Sequence, residues 1–126
     1  MLADYPVYAT IPTADVERLR RFYEDILGFK VRDETAGGIT YQAGSGTYFA
    51  ITRSSGKASG SHTQMGFAVA NIGAVVAELR GRGAVFETYQ TPKTVDGIAE
   101  MPAGKAAWLK DPEGNLIGMI ELHHSA

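Results

Sequence analysis

Few side chains in this 126-residue chain can do chemistry, and their spacing narrows what that chemistry would be. There is no cysteine, which excludes disulfides, thiolate metal sites and cysteine nucleophiles. The three histidines do not converge: His62 stands in a Ser/Gly-rich stretch, and His123 and His124 end the chain. A divalent metal needs several imidazole or carboxylate groups brought to one point. Glu100 lies in a long polar stretch and is the best-placed carboxylate base for a metal-free reaction. Tyr8 can offer a hydrogen bond or a proton, but a phenol with an ordinary pKa of about 10 is a poor base near neutrality. No residue is assigned to catalysis, and Tyr8 and Glu100 are the first candidates. Trp108, the sole tryptophan, can stack on an aromatic or cationic ligand. Gln64 is neutral and suited to orienting an amide or carbonyl.

These residues are spread over a strand and helix pattern that occurs twice. Val7 to Ile11 reads as a short strand ended by Pro12, which cannot donate to a ladder. Asp15 is a helix N-cap, with Glu17 in the first turn where the dipole favours negative charge. Val16, Leu19, Phe22, Tyr23, Ile26 and Leu27 recur at helical spacing, and Gly28 closes the helix. Phe29 to Asp33, Ile39 to Gln42 and Thr47 to Arg53 read as strands between glycine-rich turns. Ser54 to Ser61 is a polar linker.

The order then repeats. Met65 to Val69 is a strand, Asn71 caps a helix carrying Ile72, Val75, Val76 and Leu79, and Gly83 ends it. Val85 to Thr88 reads as a strand, Tyr89 to Gly104 as a long loop, and Lys105 to Lys110 with Leu116 to Leu122 as a final hairpin. Asp111 and Asn115 build its turn. Asp15-Val16 falls on Asn71-Ile72 at an offset of 56 residues, so the halves are repeats by pattern.

Composition bounds the partners. The formal net charge of −2 argues against nucleic acid, since duplex binding needs a basic face. Arg18, Arg20 and Arg21 interleave with Glu17, Glu24 and Asp25 as a solvated helix face. No apolar run is long enough for a membrane span. The opening residues have no charged segment ahead of an apolar run, so no signal peptide is expected and the expected compartment is the cytoplasm.

Asp15-Val16 followed by Phe22-Tyr23 and Leu27-Gly28-Phe29, together with Asp111-Pro112-Glu113-Gly114-Asn115 before an apolar strand, resembles the vicinal oxygen chelate superfamily. This is the glyoxalase, bleomycin-resistance and extradiol-dioxygenase group. The resemblance covers essentially the whole chain. It implies an α+β fold of two βαβββ modules, with mixed sheets curling around a central cavity often completed in a homodimer. The modules would be 1–54 and 64–122 of one domain, with a linker at 55–63 and a tail at 123–126. Metal-dependent members take ligands from the first and last strand of each module. Those positions fall here on Tyr8, on Ala50 or Thr52, on Gln64 and on Gly118. None carries an imidazole or carboxylate, so no metal ligand and no cofactor is expected.

The resemblance also implies which residues line the cavity. Tyr8 and Thr10 would share one strand face, as would Tyr48, Ala50 and Thr52. Gln64, Gly66 and Ala68 would do so on a later strand, Gly118 and Ile120 on the last, with Trp108 beside them. Such an aromatic and small-residue cup suits a flat, partly apolar ligand. The leading expectation is a metal-free protein that sequesters a drug-like or aromatic small molecule. The alternatives are a lyase, isomerase or dioxygenase of this superfamily using His62, Glu100, Glu121 or Tyr8, and a structural or regulatory dimer with a closed cavity.

Overall fold

In a computed structural model that describes residues 1–123, the chain divides into two compact units, one ending at Lys57 and the other starting at Ala58. His124 lies outside the described residues. Each unit is built on one mixed sheet, and the nine strands among the described residues are divided four and five.

The first unit runs β1 (Ala9–Thr13), α1 (Val16–Arg21), β2 (Lys30–Thr35), β3 (Gly38–Gln42) and β4 (Tyr48–Arg53). The sheet order is β1-β4-β3-β2, with β1 parallel to β4 and the other pairs antiparallel. Pro12 does not end the first strand as expected; it lies within β1, opposite Thr52. It is tolerated because β1 is an edge, where a missing donor can face away from the ladder. Asp15 caps α1 as expected, accepting from the Arg18 amide at 3.1 Å. After Arg21 the helix widens into a π turn, Phe22–Ile26, closed by the Leu27 amide on the Phe22 carbonyl at 3.1 Å. Gly28 follows in the left-handed region at φ 78°, which favours glycine.

One sheet face meets α1 and its π turn. There Tyr23, Phe29, Tyr41 and Phe49 form an aromatic cluster with ring centroids 4.9–6.4 Å apart. Such pairs contribute about 0.5–1.5 kcal/mol each beyond area burial. The Tyr41 hydroxyl donates to Glu24 Oε2 at 2.9 Å, and Arg20 joins Glu24 to Glu34 of β2. The opposite face carries Thr40, Tyr48, Ala50 and Thr52.

The second unit runs β5 (Thr63–Ala68), α2 (Ile72–Gly81), β6 (Thr94–Val95), β7 (Ile98–Met101), β8 (Gly104–Lys110) and β9 (Leu116–Leu122). The order is β5-β9-β8-β7-β6, again with the first and last strands parallel. Asn71 caps α2 through the Ala74 amide at 3.0 Å, repeating the Asp15 cap. Two expectations are corrected here. Val85 to Thr88 is not a strand; it touches β8 through a single bridge, Phe86 to Leu109. The stretch from Tyr89 to Gly104 is not a plain loop, because β6 and β7 form a hairpin inside it. Its turn is Asp96-Gly97, with φ of 53° and 83°. Two positive φ values in a two-residue loop suit the right-handed twist of the flanking strands.

Gly38 and Gly104 show the repeat at a finer level. Each opens a strand at φ 154° or 159°, and a Cβ at either would strike the backbone carbonyl of the neighbouring strand, Ile51 or Glu121. Asp111 is 4% exposed. Its carboxylate accepts from the Glu113 amide at 2.9 Å, the Asn115 amide at 3.0 Å and Asn115 Nδ2 at 2.9 Å, which fixes the β8–β9 turn.

Candidate functional site: two sheet faces

The register of β8 against β9 decides which side chains share a face. Trp108 stands opposite Gly118 and Ala106 opposite Ile120, while β5 places Gly66 beside Gly118 and Ala68 beside Ile120. Ala107, Leu109, Ile117 and Met119 point to the other face and are buried. The first set lines a pocket of about 580 Å³ with a rim at Met101, Pro102 and Ala103. This volume lies within the range of small-molecule sites.

The two glycines there do different things. A Cβ at Gly66 would meet nothing within 4 Å, so this position is open space. A Cβ at Gly118 would lie 3.1 Å from Thr63 Cγ2 and 3.4 Å from Trp108 Cδ1 and Nε1. Gly118 therefore lets the indole and Thr63 lie close across β9, and its missing side chain is replaced by protein. Gln64 does not line this pocket, and Thr63 does. The cause is a register irregularity between Thr63 and Met65, which shifts the alternation at Gln64 and brings Thr63 onto the face of Gly66.

Glu100 is not over this pocket. By register it faces Lys105, which faces Glu121, on the side away from Ala106 and Trp108. Glu121 Oε1 accepts from the Ile72 amide at 2.9 Å, so its carboxylate holds the first turn of α2, where the helix dipole also favours it. His62 and Trp108 share a smaller hollow of about 310 Å³ with Tyr89. The His62 Nδ1 is 2.5 Å from Ser59 Oγ, and burial followed by the Glu87 charge raises the Tyr89 pKa. The His123 amide donates to the Ala103 carbonyl at 3.0 Å.

In the first unit, Tyr8, Tyr48, Ala50 and Thr52 line a pocket of about 470 Å³. Tyr8 and Tyr48 stack with ring centroids 5.2 Å apart. Thr10 is exposed and pairs with Ala50 at the edge of the sheet, outside the pocket lining. Asp33, Thr35 and Thr40 complete the polar wall. Asp33 and Thr35 were missed from the sequence because β2 showed no alternation to say which side chains faced the pocket, and Thr40 of β3 was missed although Ile39 and Tyr41 alternate with it.

The metal-ligand positions implied by the family resemblance hold a phenol, a methyl or hydroxyl group, an amide and a hydrogen. That donor set does not fit a divalent metal. Among the described residues, no group of three or more His, Asp or Glu side chains is gathered to hold one elsewhere. Among the described residues, no helix is long and apolar enough to cross a membrane.

Solved structures share this fold. UcmS2 is 22% identical, with 90% of this chain and 95% of that chain covered at a TM-score of 0.71. TnmS3, an antibiotic binding protein from Streptomyces sp. CB03234, is 23% identical, with coverage of 94% and 98% and a TM-score of 0.68. A glyoxalase/bleomycin resistance protein/dioxygenase from Alicyclobacillus acidocaldarius is 17% identical, with coverage of 96% and 93% and a TM-score of 0.74. At these identities the likeness shows the fold. No curated protein matches the chain. The family model for the glyoxalase/bleomycin resistance protein/dioxygenase superfamily matches residues 6–119, from ahead of β1 to within β9. With that match spanning both repeats and the caps, turns and parallel strand pairs that define them, the chain belongs to the glyoxalase/bleomycin resistance protein/dioxygenase superfamily.

Proposed function

We propose that this protein binds and sequesters a flat, largely apolar small molecule, drug-like or an aromatic metabolite, without a metal. The observation that carries the reading is the second-unit pocket, where Trp108 offers a ring face beside the open space over Gly66. A partly exposed indole bordered by Ala106, Ala68 and Ile120 gives a planar ligand stacking and apolar burial together. The donor set at the family's metal positions supports the metal-free form. The printed description of TnmS3 as an antibiotic binding protein supports the ligand class. The reading includes a homodimer, supported by an N-terminal segment that leaves Leu2 88% and Val7 92% exposed.

The test is calorimetric titration of the full chain with a panel of fused-ring aromatic compounds, with and without EDTA. At least one compound is expected to bind at micromolar affinity or better, unchanged by EDTA, and to lose tenfold or more in Gly66→Leu. Silence across the panel, or binding that EDTA abolishes, would overturn the reading. Sedimentation of the same protein reads the dimer, and a monomer at all concentrations would remove that part.

A further inference from the structure

We propose that the smaller hollow beside Trp108 receives a neutral sugar ring, so that the ligand of the second unit is a glycoside, a flat aromatic part over Gly66 joined to one saccharide. The assignment rests on the sequestering function proposed above and names the class of molecule taken up. Trp108 and Thr63 line both the pocket of about 580 Å³ and the hollow of about 310 Å³, so one molecule can extend from one into the other past the indole. The wall opposite Thr63 is a fixed turn. The Glu87 amide donates to the Trp108 carbonyl at 2.8 Å, which ties this segment to β8. Two residues on, the Tyr89 amide donates to Thr94 Oγ1 at 2.9 Å and the Thr94 amide donates to the Tyr89 carbonyl at 3.1 Å. These two bonds close the turn that carries Tyr89 and Thr91.

The lining decides the chemistry. Ser61, Thr63, Tyr89 and Thr91 bring four hydroxyls and His62 an imidazole, and among the described residues no carboxylate, lysine or arginine lines the hollow. Glu87, which accepts from the Tyr89 hydroxyl at 3.5 Å, is paired with Lys110 at 3.5 Å, and neither is part of the lining. A phosphate, carboxylate or ammonium would therefore leave water without a counter-charge, and an apolar arm would cover the hydroxyls unpaired; both are costly. Hydroxyls donate and accept alike, which matches the hydroxyls of a sugar. Among the described residues, neither the Thr63 nor the Thr91 hydroxyl has a hydrogen-bond partner within the protein, and both residues are exposed. With His62 Nδ1 engaged by Ser59 Oγ at 2.5 Å, Nε2 is the polar atom of that ring left for a ligand. The Trp108 and Tyr89 rings lie 5.6 Å apart at 60° to one another, so they make a corner rather than a stack. An aromatic wall of this kind suits the C–H face of a pyranose while its hydroxyls turn to the polar side. At about 310 Å³ the hollow stands at the lower end of small-molecule sites, which suits a single ring rather than a chain of them.

Four probes that share one flat core test this on the full chain by calorimetry: 2-naphthol, its β-D-glucopyranoside, its β-D-galactopyranoside and its phosphate. At least one glycoside is expected to bind tenfold or more tightly than 2-naphthol, and the phosphate no more tightly than 2-naphthol. Thr91→Val and His62→Ala should each lower the glycoside affinity fivefold or more while moving that of 2-naphthol less than twofold, a split that loss of structure would not give. Gly66→Leu should weaken 2-naphthol and glycoside alike, because it fills the space of the part they share. Equal affinity for 2-naphthol and both glycosides, a phosphate that binds as tightly as the better glycoside, or a glycoside insensitive to both hollow variants would overturn the sugar site and leave the flat-ligand reading standing. If no naphthalene probe binds and a larger fused-ring compound of the aromatic panel does, the sugar site alone falls. Silence from both sets would overturn the flat-ligand reading as well.

Discussion

Gly66 and Gly118 sit side by side in the register of β5 and β9, yet alanine should act on them with opposite sign. Neither has a backbone conformation that excludes a side chain. Alanine for glycine within a strand gains about 0.5–1 kcal/mol through the unfolded chain. At Gly66 nothing opposes that gain, because the added Cβ has no neighbour within 4 Å. At Gly118 the Cβ lies 3.1 Å from Thr63 Cγ2 and 3.4 Å from the indole, and overpacking of this kind costs about 1–3 kcal/mol. The net expectation is a gain of about 0.5–1 kcal/mol for Gly66→Ala and a loss of about 1 kcal/mol for Gly118→Ala. For a domain of this size, each kcal/mol moves the melting temperature by roughly 4 °C. Thermal unfolding followed by circular dichroism reads both changes. Adding Thr63→Ser to Gly118→Ala removes the methyl that is struck and should recover most of the loss. Equal shifts for the two single variants, or no recovery in the double variant, would refute the assignment of Gly66 as open space and Gly118 as a contact.

Asp111→Ala should cost about 2–4 kcal/mol in urea unfolding, because three donors at the β8–β9 turn lose a buried charged acceptor. Glu121→Ala should cost about 0.5–2 kcal/mol, as expected of a helix N-terminal acceptor, and Glu121→Gln should cost less because it keeps the oxygen near the Ile72 amide. Burial, then the hydrogen bond to Glu24, raises the Tyr41 pKa above the usual tyrosine range. A raised folded-state pKa stabilises fully below the unfolded value near 10, and that stability is lost as pH rises above it. The wild-type melting temperature should therefore fall above pH 10, and Tyr41→Phe should fall less steeply over the same range.

What could be read from the chain was local. The Asp15 and Asn71 caps, the left-handed Gly28 and the Asp111 turn each depend on a few consecutive residues, and each lies where expected. Pro12 could not be placed, because whether a proline is tolerated depends on whether its strand becomes an edge. The β6–β7 hairpin did carry a local signal, Asp96-Gly97, but its strands are too short to show alternation. The two bulges were illegible for a different reason. An extra residue at Arg32 or Gln64 exists only relative to a partner strand, and strict alternation carried to Gln64 gave it the face that Thr63 occupies. Tyr48, Ala50 and Thr52 share one pocket wall because the register of β4 against both neighbours is unbroken.

The central claim is that a flat ligand stacks on Trp108 without a metal. Because Trp108 is the only tryptophan, its fluorescence reports on the two hollows it borders, and Gly66, which lines one of them alone, tells them apart. Titration of metal-stripped protein with the tightest compound of the aromatic panel should give a saturable change in indole emission at one ligand per chain. Gly66→Leu should weaken it tenfold or more. Saturable binding by calorimetry with no change in Trp108 emission, or emission that changes only after a divalent metal is restored, would contradict the account.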